Sequence, residues 1–191
     1  MADARHFIRW MSQAAQDQAK MRAIVKIDRL GNEALVRSIR CVSCRTLSGE
    51  VQPPGGIVYD YAHWVVFLRS RPLLTPGQGL IVLKRHCEDV ATLTVEEAAT
   101  LGEVMRRAAV TYMHALAPER VHFGLYAEET RHVHLHVLPR TRALPAGNIP
   151  TTLLGAWYAV LQRLQLRHSY SDDEVAQVAN MLRAGFSQLE L

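Results

Sequence analysis

The rhythm of apolar and polar positions changes several times along this chain. Between residues 5 and 40, apolar side chains fall at Phe7, Ile8, Met11 and Ala15, then at Ile24, Ile27 and Leu35. That spacing predicts helices with one wet face and few breakers before Gly31. The glycines and prolines of "SGEVQPPGG" (48–56) then impose turns. Strand-like runs follow. "GIVYDYAHWVVFL" is rich in β-branched and aromatic residues and predicts one or two strands, and "LIVLKRH" (80–86) predicts another that closes on His86. "LTVEEAATLGEVMRRAAVTYMHAL" predicts a helix, with Thr94 and Glu97 as a capping box and Val95, Ala98, Leu101, Met105 and Ala109 as its apolar stripe. "RVHFGLYA" and "RHVHLHVLP" return to the rhythm of strands. Two helical segments close the chain, the second opened by a capping box of Ser171 and Glu174. Strands, a helix and more strands, flanked by helices, predict an α+β fold with an antiparallel sheet.

Composition narrows the picture. A chain of 191 residues, 49% hydrophobic, can bury one substantial core. No apolar run reaches the roughly 18 residues of a membrane span, and the start does not resemble a signal peptide. A cytoplasmic protein without membrane contact is the expectation. The three cysteines, Cys41, Cys44 and Cys87, are too few for a disulfide framework. The net charge of +4 sits entirely in residues 1–40, which hold eight Lys/Arg against four Asp/Glu, whereas the rest holds fourteen of each. Such a leader can attract nucleic acid, but these charges are spread rather than blocked, which favours a solvated helical face.

The chemistry concentrates in "RHVHLHVLPR" (131–140). Successive strand residues point to opposite faces, so His132, His134 and His136 share one face while Val133, Leu135 and Val137 cover the other. Pro139 has no N–H for the ladder and is expected to end the strand. Clustered neutral imidazoles serve two chemistries. They hold metal ions, or one of them attacks an electrophile while its neighbours orient it. An unperturbed imidazole, with a pKa of about 6.5, is mostly unprotonated at neutral pH and attacks phosphorus without a separate base. "CVSC" (Cys41, Cys44) has the C-x-x-C spacing of half a tetrahedral zinc site, with a pair of unpaired buried thiols as the plain alternative.

"HVHLHVL" resembles the motif of the histidine triad (HIT) family, and "LIVLKRH" is similar to that family's preceding strand. The resemblance runs from about Cys41 to Arg142. It implies a HIT-like α+β sheet with a packed helix, two protomers joining their sheets, and hydrolysis or transfer at the α-phosphate of a nucleotide. It makes His134 the nucleophile, His136 a hydrogen-bond donor to phosphate or an aid to the leaving group, and His132 a supporting residue. Some relatives carry two cysteines, a mid-chain histidine and the first motif histidine as a structural zinc site. Here these are Cys41, Cys44, His86 and His132, with Cys87 as an alternative to His86.

The division expected is a helical extension over 1–40, a catalytic domain over 41–143 and a second helical extension over 144–191. A zinc-stapled nucleotide-binding module that has lost turnover is the competing reading. The chain also departs from the family pattern. "AEETRHVHLH" places Glu128 and Glu129 where relatives have a phosphate-binding Gly-Gln-Ser/Thr type segment, leaving Thr130 as the hydroxyl. His122 stands in for a common asparagine, and Arg69 for a ribose-binding aspartate. Arg69, Arg71, Lys84, Arg131 and Arg140 are candidates for a cationic rim.

Overall fold

A computed structural model of the protein describes residues 40–70, 72–126, 130–144 and 151–189. The helical reading of residues 5–40 lies, but for Arg40, outside the described residues, and so do Arg71, Glu128 and Glu129. The chain divides into two compact units, Met1–Arg40 and Cys41–Leu191, and every described element belongs to the second.

Five strands form one antiparallel sheet: β1 (Ile57–Tyr61), β2 (Trp64–Leu68), β3 (Gly79–Leu83), β4 (Arg120–Gly124) and β5 (His134–Arg140), in the order β1-β2-β3-β5-β4. The helices are α1 (Val42–Leu47), α2 (Val95–Leu116), α3 (Thr151–Arg163) and α4 (Asp172–Gln188). This is the α+β architecture the sequence predicts. "GIVYDYAHWVVFL" resolves into two strands, the hairpin β1-β2, with Tyr61 opposite Trp64. Among the described residues no helix is long and apolar enough to cross a membrane.

Alternation along the strands builds two unlike faces. Trp64, Val66, Leu68, Ile81, Leu83, Val133, Leu135 and Val137 point to α2 and α4 and form the main core with Val104, Ala108, Tyr112, Val175, Ala179, Leu182 and Phe186. The other face carries Val65, Phe67 and Val82, packed by Leu47 and Leu80, and it is on this face that the motif histidines stand. Pairing Val82 with His134 and Leu80 with His136 fixes that placement, because directly opposed residues project to the same side. A one-residue slip of β5 would turn every imidazole into the core, so the apolar residues between them hold the register.

Three local expectations change. Pro139 does not end β5; the strand runs on to Arg140, with Pro139 opposite Val121 of β4. β3 pairs with β5 only as far as Val137, so Pro139 faces a partner on one side only and its missing N–H breaks no ladder there. β3 itself stops at Leu83, so His86 follows the strand rather than closing it.

The stripe of α2 is also rotated. Val95 is 81% exposed, and the buried positions are Glu97, Val104, Ala108, Thr111 and Tyr112, with Leu101 and Met105 partly buried beside them. The reason lies in Glu97. Its carboxylate takes two bonds from Arg85, at 2.6 and 2.7 Å, and one from the Thr94 N–H at 2.8 Å, so burial leaves no charge unpaired. Its carbonyl also accepts the indole N–H of the fully buried Trp64. Both predicted capping boxes form, at Thr94 and at Ser171.

Candidate active site and metal cluster

α1 is only one and a half turns long, but it places Cys41 at its N-cap and Cys44 on its first turn. Both sulfurs face two imidazoles from the sheet side. Cys41 Sγ lies 3.4 Å from His132 Nδ1, and Cys44 Sγ lies 3.5 Å from the same nitrogen and 3.3 Å from His86 Nδ1. All four donor atoms fall within 4.8 Å of one another. A tetrahedral ion bonded at about 2.3 Å to sulfur and about 2.0–2.1 Å to nitrogen requires S···N edges of about 3.6 Å. The three observed S···N edges lie within about 0.3 Å of that value, so the four donors suit a metal ion.

The outer hydrogen bonds prepare the same role. The Nε2–H of His132 donates to Leu83 O at 2.7 Å, and Nε2 of His86 faces Glu88 Oε1 at 3.4 Å. In a neutral ring with its proton on Nε2, Nδ1 carries the lone pair, and in both residues Nδ1 is the nitrogen that faces the cysteines. Burial pushes the pKa of His132 down, which favours that neutral, ligating form. Cys87 is not part of this group: its thiol turns instead to Asp89 O and Thr92 Oγ1, at 3.3 and 3.1 Å.

Two residues further on, the geometry serves a different end. The Nδ1–H of His134 donates to the backbone carbonyl of His132 at 2.6 Å. A carbonyl only accepts, so Nδ1 holds the proton and Nε2 is the basic nitrogen. The ring lines a cavity of about 540 Å³ together with His136, His122 and Thr130. His136 packs edge-on to His134, ring centres 5.1 Å apart, and under Tyr126 at 5.8 Å. Burial first, then the neighbouring His134 and the Arg69 cation, push the pKa of His136 down to about 4. At neutral pH its imidazole is uncharged and offers one N–H.

The HIT domain profile matches residues 50–143. The chain carries a histidine triad domain. Cys41 and Cys44 lie ahead of the matched stretch, so the metal-type cluster joins the HIT domain to the segment before it. Several solved HIT proteins share the fold. A zinc-bound histidine triad family protein from Mycobacterium smegmatis is 23% identical, with a TM-score of 0.57, over 80% of this chain and 97% of its own. A hypothetical histidine triad nucleotide-binding protein from Sulfolobus tokodaii is 14% identical, with a TM-score of 0.58, over 78% and 94%. A histidine triad protein from Sinorhizobium meliloti is 17% identical, with a TM-score of 0.54, over 73% and 92%. No curated protein matches the sequence.

The rest of the HIT domain sorts the remaining candidates. His122, opposite Leu138 on β4, projects to the histidine face and lines the cavity, as does Thr130 just ahead of β5. Of the cationic rim only Arg69 lines the cavity among the described residues. Lys84 is paired with Asp60 at 2.5 Å, and Arg140 is paired with Glu119. The trio is therefore divided: His132 belongs to the cluster with the cysteines, and His134 and His136 to the cavity.

Two contributors escaped the sequence reading. Gln78 lies in phase with Leu80 and Val82, so the alternation of β3 was enough to place it on the histidine face. The other is α3, whose Gly155, Ala156 and Ala159 border the cavity; nothing in a helical pattern announces that.

Proposed function

We propose that the protein is a histidine triad phosphoesterase or nucleotidyltransferase acting at the α-phosphate of a nucleotide conjugate. One observation carries the reading: the proton of His134 is fixed on Nδ1 by the His132 carbonyl, and the ring borders a cavity beside a neutral second imidazole. Membership of the HIT family supports it.

The Nε2 lone pair of His134 attacks phosphorus, and the bond from phosphorus to the leaving oxygen or nitrogen breaks with its electron pair on the leaving group, which takes a proton from solvent. The positive charge gained by the imidazole is held by the Nδ1–H···O=C bond. His136 and Thr130 donate to the non-bridging oxygens, on which charge accumulates. Water or a phosphate acceptor then attacks the same phosphorus. The P–N pair returns to Nε2, and the attacking water gives its proton to solvent.

Zinc is the ion that two thiolates and two imidazoles at these edges suit best. Held by Cys41, Cys44, His86 and His132, it would have no open position and would serve to tie Cys41–Cys44 to the sheet. The zinc-bound Mycobacterium smegmatis relative supports this assignment.

The test is a quench of the protein with a labelled dinucleoside polyphosphate, followed by peptide mass spectrometry. A nucleotidyl adduct on His134 is expected. Ligand binding with no adduct, and turnover unchanged in His134→Ala, would favour the competing binding module and overturn this reading.

A further inference from the structure

The cavity reaches well past the two imidazoles, and its far end is chemically distinct. On β5 the side chains of this face run His134, His136, Leu138; on β3 they run Val82 and Leu80, and Gln78 continues the alternation just ahead of the strand. Four residues separate the level of His134 from that of Gln78, about 13 Å at about 3.3 Å per residue. The lining thus passes from imidazoles, through an apolar stretch of Leu80, Leu138 and Leu74, to the Gln78 amide, beside which Arg69 also lines the cavity, its backbone N–H donating to Gln78 O at 3.1 Å.

That amide is held in one orientation. Gln78 is 8% exposed, and its Oε1 accepts the Leu74 N–H at 3.0 Å. Its side-chain NH2 has no partner among the described residues and borders the cavity. The NH2 opens on the cavity, so a ligand acceptor would take the place of solvent there. Opposite it, α3 presents Gly155, Ala156 and Ala159 and so leaves room; a Cβ added at Gly155 would meet nothing within 4 Å. The helix is tied down by Gln162 Nε2 donating to Leu73 O at 2.9 Å. No acidic side chain lines the cavity among the described residues, so a cationic group would find no counter-charge.

We infer that this end of the cavity binds a largely apolar group carrying a hydrogen-bond acceptor and no positive charge, and that Gln78 is the residue that selects it. The inference rests on the reading of His134 and His136 as the phosphate end of the site. Two parts of a nucleotide conjugate have this chemistry, the nucleobase and an aromatic leaving group.

Gln78→Glu separates the cases, because a carboxylate still accepts from Leu74 N–H but replaces the donor with a second acceptor. Gln78→Met, with similar length and no donor, guards against an effect of charge alone. Calorimetry with the four nucleoside 5′-monophosphates, ribose 5-phosphate and inorganic phosphate reads the nucleobase arm. KM for nucleoside phosphoramidates releasing ammonia or an arylamine reads the leaving-group arm.

If the base occupies the far end, both variants lose about tenfold or more in affinity for the preferred monophosphate, with ribose 5-phosphate unaffected. If the leaving group does, KM rises about tenfold for the arylamine conjugate only. No change in either arm, or an equal loss with inorganic phosphate, overturns the inference. Equilibrium binding of monophosphates needs no turnover, so failure of the His134 adduct test and failure of this one remain distinguishable.

Discussion

Replacing Cys44 by serine removes the sulfur that touches both imidazoles of the cluster, at 3.3 Å from His86 and 3.5 Å from His132. If these atoms hold an ion, most of the cost of Cys44→Ser is the loss of binding energy that the metal lends to the fold. Free zinc at about a hundred times its dissociation constant stabilises the native state by about 2.7 kcal/mol, and tighter binding adds more. For a chain of this size each kcal/mol moves Tm by about 2–4 °C, so metal loss lowers Tm by at least about 5–11 °C.

The assay is thermal melting of wild type and Cys44→Ser with and without a strong chelator, alongside elemental analysis. Chelation and substitution remove the same contribution, so they should be non-additive: the chelated wild type and the chelated variant melt within about 0.5 kcal/mol of each other. Wild-type protein should carry about one zinc per chain. A wild type that contains no metal and ignores the chelator, while Cys44→Ser still melts early, would refute this reasoning and return Cys41 and Cys44 to the status of thiols that only pack against the sheet.

Other consequences are open to measurement. His134→Ala should lower turnover by about ten-thousand-fold or more while leaving nucleotide binding measurable, checked by pre-steady-state kinetics with calorimetry. The pKa of His136 in the folded protein, about 4, lies below the ordinary 6.5. The unfolded chain therefore binds that proton first, so this residue's stabilising contribution is whole above about pH 6.5 and declines as pH falls towards 4, which urea titrations will follow. A bound phosphate favours the charged ring. Affinity for inorganic phosphate should therefore rise over the same fall in pH, with proton uptake visible as buffer-dependent heat.

Tyr112→Phe should be neutral or stabilising by about 1 kcal/mol, because the buried hydroxyl has no hydrogen-bond partner among the described residues; a loss above about 1 kcal/mol by urea denaturation would contradict this. Gly55→Ala should destabilise by about 1–3 kcal/mol in the same assay, since Gly55 has φ +75° and a Cβ there would sit 2.4 Å from that of Ala179.

The parts of the molecule that were legible in advance are those whose periodicity has one solution. Alternation along residues 131–138 decided which way the imidazoles and aliphatics face, because a one-residue slip would send the imidazoles into the apolar core beneath α2 and α4. The Thr94 and Ser171 caps were readable because a capping box is a local arrangement of four residues. The stripe of α2 was misjudged because Glu97 counts as polar in any pattern, and only the Arg85 partner twelve residues earlier makes its burial tolerable.

The sharing of the trio between a metal-type cluster and a cavity is as the family resemblance implied, since Cys41, Cys44, His86 and His132 do come together, but spacing alone could not give it, because it depends on where α1 and the segment after β3 bring those residues. Those distances across the sheet leave no local trace. Gln78 could have been found by extending the β3 alternation by one step. The small residues of α3 could not, since their value lies in the space they leave.

Two indoles of the protein occupy opposite surroundings. Trp64 is wholly enclosed between the sheet and α2, whereas Trp157 on α3 is 60% exposed. In a Trp10→Phe background, iodide will quench the fluorescence of one and not the other, and their emission maxima will differ. The protein thus comes with an optical clock for each of two regions, and denaturation of α3 can be timed separately from the opening of the sheet beneath it.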